Sequence, residues 1–321
     1  MQLIETYKAK IQSMKEDRQF ANDRRRFVRG SKSLVLGIFK AVVLIGISYM
    51  ILCPLLGIVS NSFFSKDDMY NPMVYLIPAD PTLERYQTAI NHLNYGSVLL
   101  KTLGYDLSLM IIQVLICSMV GYGFARFNFP LKKVLFACVV VMIVLPLNTI
   151  MLPLYMTFRN FGPLDWNWLA SVKPMYMMTL FGCGLRSGLY IYIFNQFFRG
   201  LPKEIEEAAF VDGAGMFYTY SRIMLVNALP SVVTVSIFSL VWQYNDTFFM
   251  KLFNISDNIL IGKKLGSLNS NISSALEISD PAVLQLYTYA GVMLVILPVL
   301  LIYIILQKQF IEGVERSGIV G

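Results

Sequence analysis

Apolar runs separated by short polar stretches account for most of the chain. Residues 41–60, 103–125, 134–158, 174–198, 228–244 and 283–306 are almost free of charge. About 20 such residues, each rising 1.5 Å along a helix, cross a hydrocarbon core of roughly 30 Å. The pattern predicts an all-α polytopic membrane protein, with a six-helix transmembrane domain over residues 34–306. Two long polar connectors, 61–97 and 247–280, fall on one side of the membrane. A tight turn at 126–133 and a polar stretch at 199–230 fall on the other.

The stretch 199–230 breaks the pattern most sharply. It reads RGLPKEIEEAAFVDGAGMFYTYSRIMLVNALP and holds seven charges: Arg199, Lys203, Glu204, Glu206, Glu207, Asp212 and Arg222. Each would cost about 2.5–3.5 kcal/mol at mid-membrane, so the segment faces water. Gly200 and Pro202 punctuate its start. Glu204, Glu206 and Glu207 fall in a first helical turn, where the helix dipole favours negative charge. Asp212-Gly213 signals a turn, Gly215 adds a second flexible point, and a helix resumes from Phe217. These signals describe a helix-turn-helix elbow on the membrane surface. On physics alone, an ordinary polar loop between spans fits them as well.

Within the spans, Pro146 and Pro153 interrupt the third. Such breaks either bend a helix or line a pathway. Arg186 lies inside the fourth, between Gly182, Gly184 and Gly188. It is the costliest residue in the chain and must face the bundle interior, water or a partner subunit. It belongs either to a pathway or subunit interface, or to a local break where it meets backbone carbonyls. Asp106 lies near the outer end of the second span, functional or simply hydrated. Trp166 and Trp168 suit an interfacial belt.

Composition agrees. The chain is 56% hydrophobic and 15% charged, unlike a soluble enzyme. The net charge of +7 comes with no basic stripe of interleaved aromatics outside the first 33 residues, so nucleic acid is not the expected partner. Residues 1–33, with Lys8, Arg18 and Arg24 to Arg26, read as a basic cytoplasmic tail resting on anionic lipid headgroups, at about 1 kcal/mol per basic residue. Cys53, Cys117, Cys138 and Cys183 all lie in apolar runs without a C-x-x-C and read as packing residues. The lone His92 argues against a metal site. Positive charge is denser in the tail, the 126–133 turn and the elbow than in the opposite loops, which places both termini in the cytoplasm.

The elbow also carries a resemblance. Glu207-Ala208-Ala209, three residues, Gly213, nine residues, Ile223, one residue and Leu225 is similar to the "EAA" loop of bacterial ABC-importer membrane subunits, E-A-A-x3-G-x9-I-x-L-P. Val226 stands where that family has Pro, and Pro230 follows four residues later. Asp212 with Gly213-Ala214-Gly215 resembles the sugar-importing, maltose-type branch. So do YQTAINHLNYGSVLLKTL before the second span, with Lys101 where an Asn is common, and YGFARFNFPLKK after it. The final segment, 307–321, resembles a cytoplasmic C-terminal tail, with Glu315-Arg316 departing from the usual small residues.

The resemblance implies a type I ABC importer permease in a bacterial cell membrane. It implies an elbow acting as a coupling helix in a groove of a separate ATPase dimer. There Glu207 meets a basic residue, Ala208 and Ala209 allow close packing, and Gly213 makes the turn. A second homologous permease subunit, an extracytoplasmic solute-binding protein reaching loop 247–280 and a carbohydrate, an oligosaccharide, complete the set. The chain has no G-x-x-x-x-G-K-[ST] phosphate cradle, so ATP and Mg belong to the partner and no cofactor to this chain. Rival classes are weaker. An ion-coupled secondary transporter needs midplane acids, and only Asp106 offers one. An intramembrane enzyme needs a nucleophile–base or acid pair within a span, and none stands out.

Overall fold

The computed structural model describes residues 35–318. The basic tail at 1–33 lies outside the described residues. The first span is a single unbroken apolar helix, α1 (Val35–Asn61), with Pro54 inside it. Its residues up to Ser60 belong to a unit separate from the rest of the described chain.

The second unit begins at Asn61. Its first connector holds two short helices, α2 (Lys66–Tyr70) and α3 (Glu84–Leu93). Ser65 caps α2 by accepting from the Asp68 N–H at 3.0 Å. The Asp68 carboxylate accepts in return from the Ser65 N–H at 3.3 Å, a capping box. It also accepts from the Ala79 and Asp80 N–H groups at 3.3 and 3.2 Å. One carboxylate thereby folds the proline-rich strand of the connector back onto α2.

The second span, α4 (Tyr95–Arg126), is the spine. Its 32 residues extend about 48 Å at helical rise. Three clusters of buried apolar side chains are strung along it. Val98 packs with Ala89, Leu93 and Leu268 near its start. Tyr105 and Leu109 pack with Phe158, Met175 and Phe253 further along. Val114, Cys117 and Tyr122 pack with Tyr190, Phe194 and Tyr220 toward its end.

The remaining apolar runs are not all single helices. The third is two helices, α5 (Lys132–Val144) and α6 (Leu147–Arg159), bent by 105°. Pro146 causes the break: it lacks an N–H and forces Leu145 into extended backbone at ψ 122°. Pro153 is carried inside α6 without a break. The fourth is also two helices, α7 (Lys173–Leu180) and α8 (Ser187–Gly200). After the elbow helix α9 (Glu204–Val211), α10 (Met216–Asn227) turns through 79° into the fifth span, α11 (Leu229–Tyr244), with Pro230 in the first turn of α11. The sixth is α15 (Pro281–Gly318), which runs through Pro298 and continues past residue 306 into the stretch read as a separate tail. Among the described residues, α1, α4 and α15 are each long and apolar enough to cross a membrane unaided, and counting the bent pairs α5–α6 and α10–α11 as one span each brings the number to five. The run 174–198, expected as the fourth span, is the broken pair α7–α8 and is not among these five.

The connector 247–280, expected as a loop, folds into α12 (Phe248–Leu252), α13 (Ile261–Gly266) and α14 (Leu268–Leu276). Its apolar residues Ile255, Ile261, Leu268 and Ile272 are fully buried. The Thr102 hydroxyl donates to the Ile259 carbonyl at 2.7 Å and accepts from the Ile261 N–H at 2.9 Å, fixing this layer to α4.

Two glycines set how closely α8 packs. A Cβ on Gly121 would come 2.6 Å from the Phe194 Cβ, and one on Gly188 would come 2.9 Å from the Met142 Cβ. Helix α8 is therefore clasped between α4 and α5 with no room for a side chain at either crossing.

Candidate functional site

The elbow is a helix with a defined stop. Glu204, Glu206 and Glu207 occupy the first turn of α9. Its end is a Schellman motif: the Gly213 N–H donates to the Phe210 carbonyl at 3.0 Å and the Ala214 N–H to the Ala209 carbonyl at 2.9 Å. The motif requires a left-handed residue, and Gly213 sits at φ +83°. The spacing of Ala209 and Gly213 is thus the spacing between the last free carbonyls and the turn residue that satisfies them.

Beyond Gly215 the chain re-enters helix at Met216 and passes through a π-helical turn, Thr219–Met224. Around this corner Ala209, Asp212, Gly213, Gly215 and Ile223 line an open pocket of about 620 Å³, together with Ala214 and Tyr218. Glu207 and Ala208 lie on the exposed face of α9 outside it, and Leu225 is half-buried further along. Phe210, Val211, Met216, Phe217 and Tyr218 are all exposed at the same corner, Val211 at 87%. A water-facing apolar rim of this kind marks a contact surface.

The elbow is bolted to the end of α4. Arg126 Nε lies 3.2 Å from Glu206 Oε2, and both side chains are buried. The Arg126 guanidinium also donates to the Leu201 carbonyl at 2.8 Å. The Tyr220 and Ser118 hydroxyls are hydrogen-bonded at 2.7 Å. The Tyr122 ring packs against Tyr220 and Phe198 at 5.2 and 5.4 Å. None of these anchors stood out in the sequence. Glu206 reads there as one of three first-turn acids, and only the fold shows that it points inward while Glu207 points out.

The stretch expected as the fourth span breaks at 181–186. Helix α7 ends in a second Schellman motif, with Gly182 at φ +70°, its N–H donating to the Thr179 carbonyl at 3.1 Å and the Cys183 N–H to the Met178 carbonyl at 2.8 Å. Gln113 of α4 clamps the break. Its amide NH₂ donates to the Leu185 carbonyl at 2.6 Å and to Ser187 Oγ at 2.9 Å. Its carbonyl accepts from Ser239 Oγ at 2.7 Å and from the Gln243 amide at 3.3 Å, both on α11. All four hydrogen-bonding positions of the Gln113 side chain are filled. The hub ties three spans together. A lone Gln in an apolar run gives no sign of it.

Arg186 caps α8 in left-handed conformation, φ 60°, and is exposed. Among the described residues its guanidinium has no hydrogen bond to a backbone carbonyl. Its guanidinium carbon lies 4.3 Å from the centre of the Trp242 ring of α11. Asp106 of α4 is fully buried.

The family model for the inner-membrane component of binding-protein-dependent transport systems matches residues 113–314. The chain belongs to this family. The match runs from Gln113 through the elbow into α15, so both the Gln113 hub and the elbow fall inside it. A probable ABC transporter permease protein of Pyrococcus horikoshii is 29% identical over 84% of this permease and 92% of its own length. The diacetylchitobiose uptake permease protein of Streptomyces coelicolor is 25% identical over 84% of each chain. The trehalose transport permease protein of Mycobacterium tuberculosis is 25% identical over 77% of this chain and 85% of its own. Among solved structures, a chain of a bacterial ABC transporter involved in importing the acidic polysaccharide alginate superposes with TM-score 0.72, at 19% identity, over 86% of this chain and 96% of that one. The last likeness concerns the fold. The permease is an ABC-importer membrane subunit, and subunits of this class work with an ATPase and a solute-binding protein.

Proposed function

We propose that this permease forms one half of the pathway for a carbohydrate, an oligosaccharide, and takes its motion from a separate ATPase dimer through the elbow. The names of the diacetylchitobiose and trehalose permeases support the solute class. The observation that carries the coupling role is the exposed apolar rim around the turn at Gly213, set on a helix bolted to α4. Glu207, with Ala208 and Ala209, presents α9 to a groove of the ATPase, and Asp212, Gly213, Gly215, Ile223 and Leu225 shape the corner behind it. A second, homologous permease subunit completes the pathway, and Arg186 faces that pathway or the subunit boundary. The connector carrying α12–α14 meets the solute-binding protein outside the cell, with both termini in the cytoplasm. Hydrolysis takes place in the ATPase, where ATP binding draws two elbows together and swings the spans from inward-open to outward-open.

The test is Glu207→Arg or Gly213→Pro in the assembled importer, reading ATPase copurification and solute uptake. Loss of either supports coupling through the elbow. Full assembly and full uptake in both variants overturn it. Uptake driven by a proton or sodium gradient without ATP would favour ion-coupled transport instead.

A further inference from the structure

Arg186 lies midway along the apolar run 174–198. Helix α8, 14 residues long, separates it from the elbow by about 21 Å. A charge within such a run does not face lipid tails. The irregular backbone at 181–186 carries the same restriction, because unpaired peptide groups are tolerated only against protein or water. Among the described residues no carboxylate lies within ion-pair distance of Arg186. The neighbouring polar hub offers it nothing, since Gln113, Ser187, Ser239 and Gln243 are engaged with one another. What Arg186 does have is the Trp242 ring, whose centre lies 4.3 Å from the guanidinium carbon.

A guanidinium held over an indole is attracted to the ring and shielded from water on that side, while the N–H groups turned away from it stay free to donate. Those groups match a carboxylate through two parallel hydrogen bonds. The positive end of α8 adds to the same field. We propose that Arg186, positioned by Trp242, is a subsite for the carboxylate of an acidic sugar, a uronate, on its way through the permease. The proposal rests on the reading of Arg186 as facing the pathway. A carboxylate of the second permease subunit would satisfy the same guanidinium. However, a fixed ion pair across the pathway would have to break at every opening, whereas a solute carboxylate arrives and leaves with each cycle.

The test uses the permease–ATPase complex in lipid nanodiscs without its binding protein, titrated calorimetrically. The probes are trigalacturonate and trimannuronate, each against the neutral parent trisaccharide. The expected result is binding of an acidic probe at least tenfold tighter than its neutral parent. Arg186→Gln should abolish that preference, and Arg186→Lys, which keeps the charge but loses the fork, should retain part of it. Trp242→Ala should weaken acidic-probe binding while leaving the neutral sugar unchanged. Equal binding of acidic and neutral probes, no binding of either acidic probe, or a preference indifferent to Arg186→Gln overturns the proposal. Release of the second permease subunit from the Arg186→Gln complex assigns the carboxylate to that subunit and also overturns it. In all these outcomes the permease reading stands. It fails separately, if no ATPase copurifies with the native chain.

Discussion

Arg126 and Glu206 form a buried ion pair, with Nε and Oε2 3.2 Å apart, between the last turn of α4 and the first turn of the elbow helix. Breaking a buried pair by neutralising one partner strands the other charge, at a cost of about 3–5 kcal/mol. Glu206→Gln is therefore expected to lower the melting temperature of the assembled importer and to raise the ATP hydrolysed per solute carried. The reversed pair, Arg126→Glu with Glu206→Arg, should recover part of both losses. Calorimetry and parallel uptake and hydrolysis assays check this. Glu207→Gln, one residue away on the exposed face, should leave the melting temperature unchanged.

Gly213 and Gly215 separate backbone strain from steric crowding. A Cβ at either position meets nothing within 4 Å, but only Gly213 has positive φ. Gly213→Ala should destabilise the elbow by about 1–2 kcal/mol, the cost of placing an L-residue in left-handed backbone. Gly215→Ala should stay within about 0.5 kcal/mol, as for an ordinary surface change. Hydrogen exchange across residues 204–218 measures the difference.

The Gln113 hub holds the broken fourth span against the fifth. Gln113→Leu fills a similar volume but leaves the Leu185 carbonyl and the Ser239 hydroxyl without that partner. Each buried orphan costs about 1–3 kcal/mol. The expected outcome is a lowered melting temperature and faster hydrogen exchange at residues 183–189, while α4 still inserts.

Asp68 makes the connector acid-sensitive. Burial pushes its carboxyl pKa up, but the Ser65, Asp80 and Ala79 N–H groups and the Ser65 hydroxyl outweigh that and hold it below its ordinary value. Its contribution is therefore complete above the unfolded carboxylate pKa of about 3.9 and is lost as pH falls through the lower folded value. Melting curves between about pH 6 and pH 3 should show an acid-side loss that Asp68→Asn reduces.

The elbow was largely legible in the sequence because its signals are local. Glu204 to Glu207 mark a helix start, and Gly213 marks a left-handed stop three residues beyond Val211's neighbour Phe210. The breaks at Pro146 and at the Gly182–Gly188 cluster were legible as weak points, but their outcome was not. Pro146 bends its span through 105°, with Leu145 before it in extended backbone, while Pro153 is carried inside α6.

By itself the sequence determined which segments are apolar enough for a membrane and where the elbow helix starts and stops. All of this depends on residues close together in the chain. Only the tertiary structure decided which first-turn glutamate turns inward to Arg126. It alone placed Gln113 against residues 72 to 130 positions away and Trp242 under Arg186. The physical reason is that a polar group in a low-dielectric interior must find its partner in space, and sequence distance sets no limit on where that partner lies.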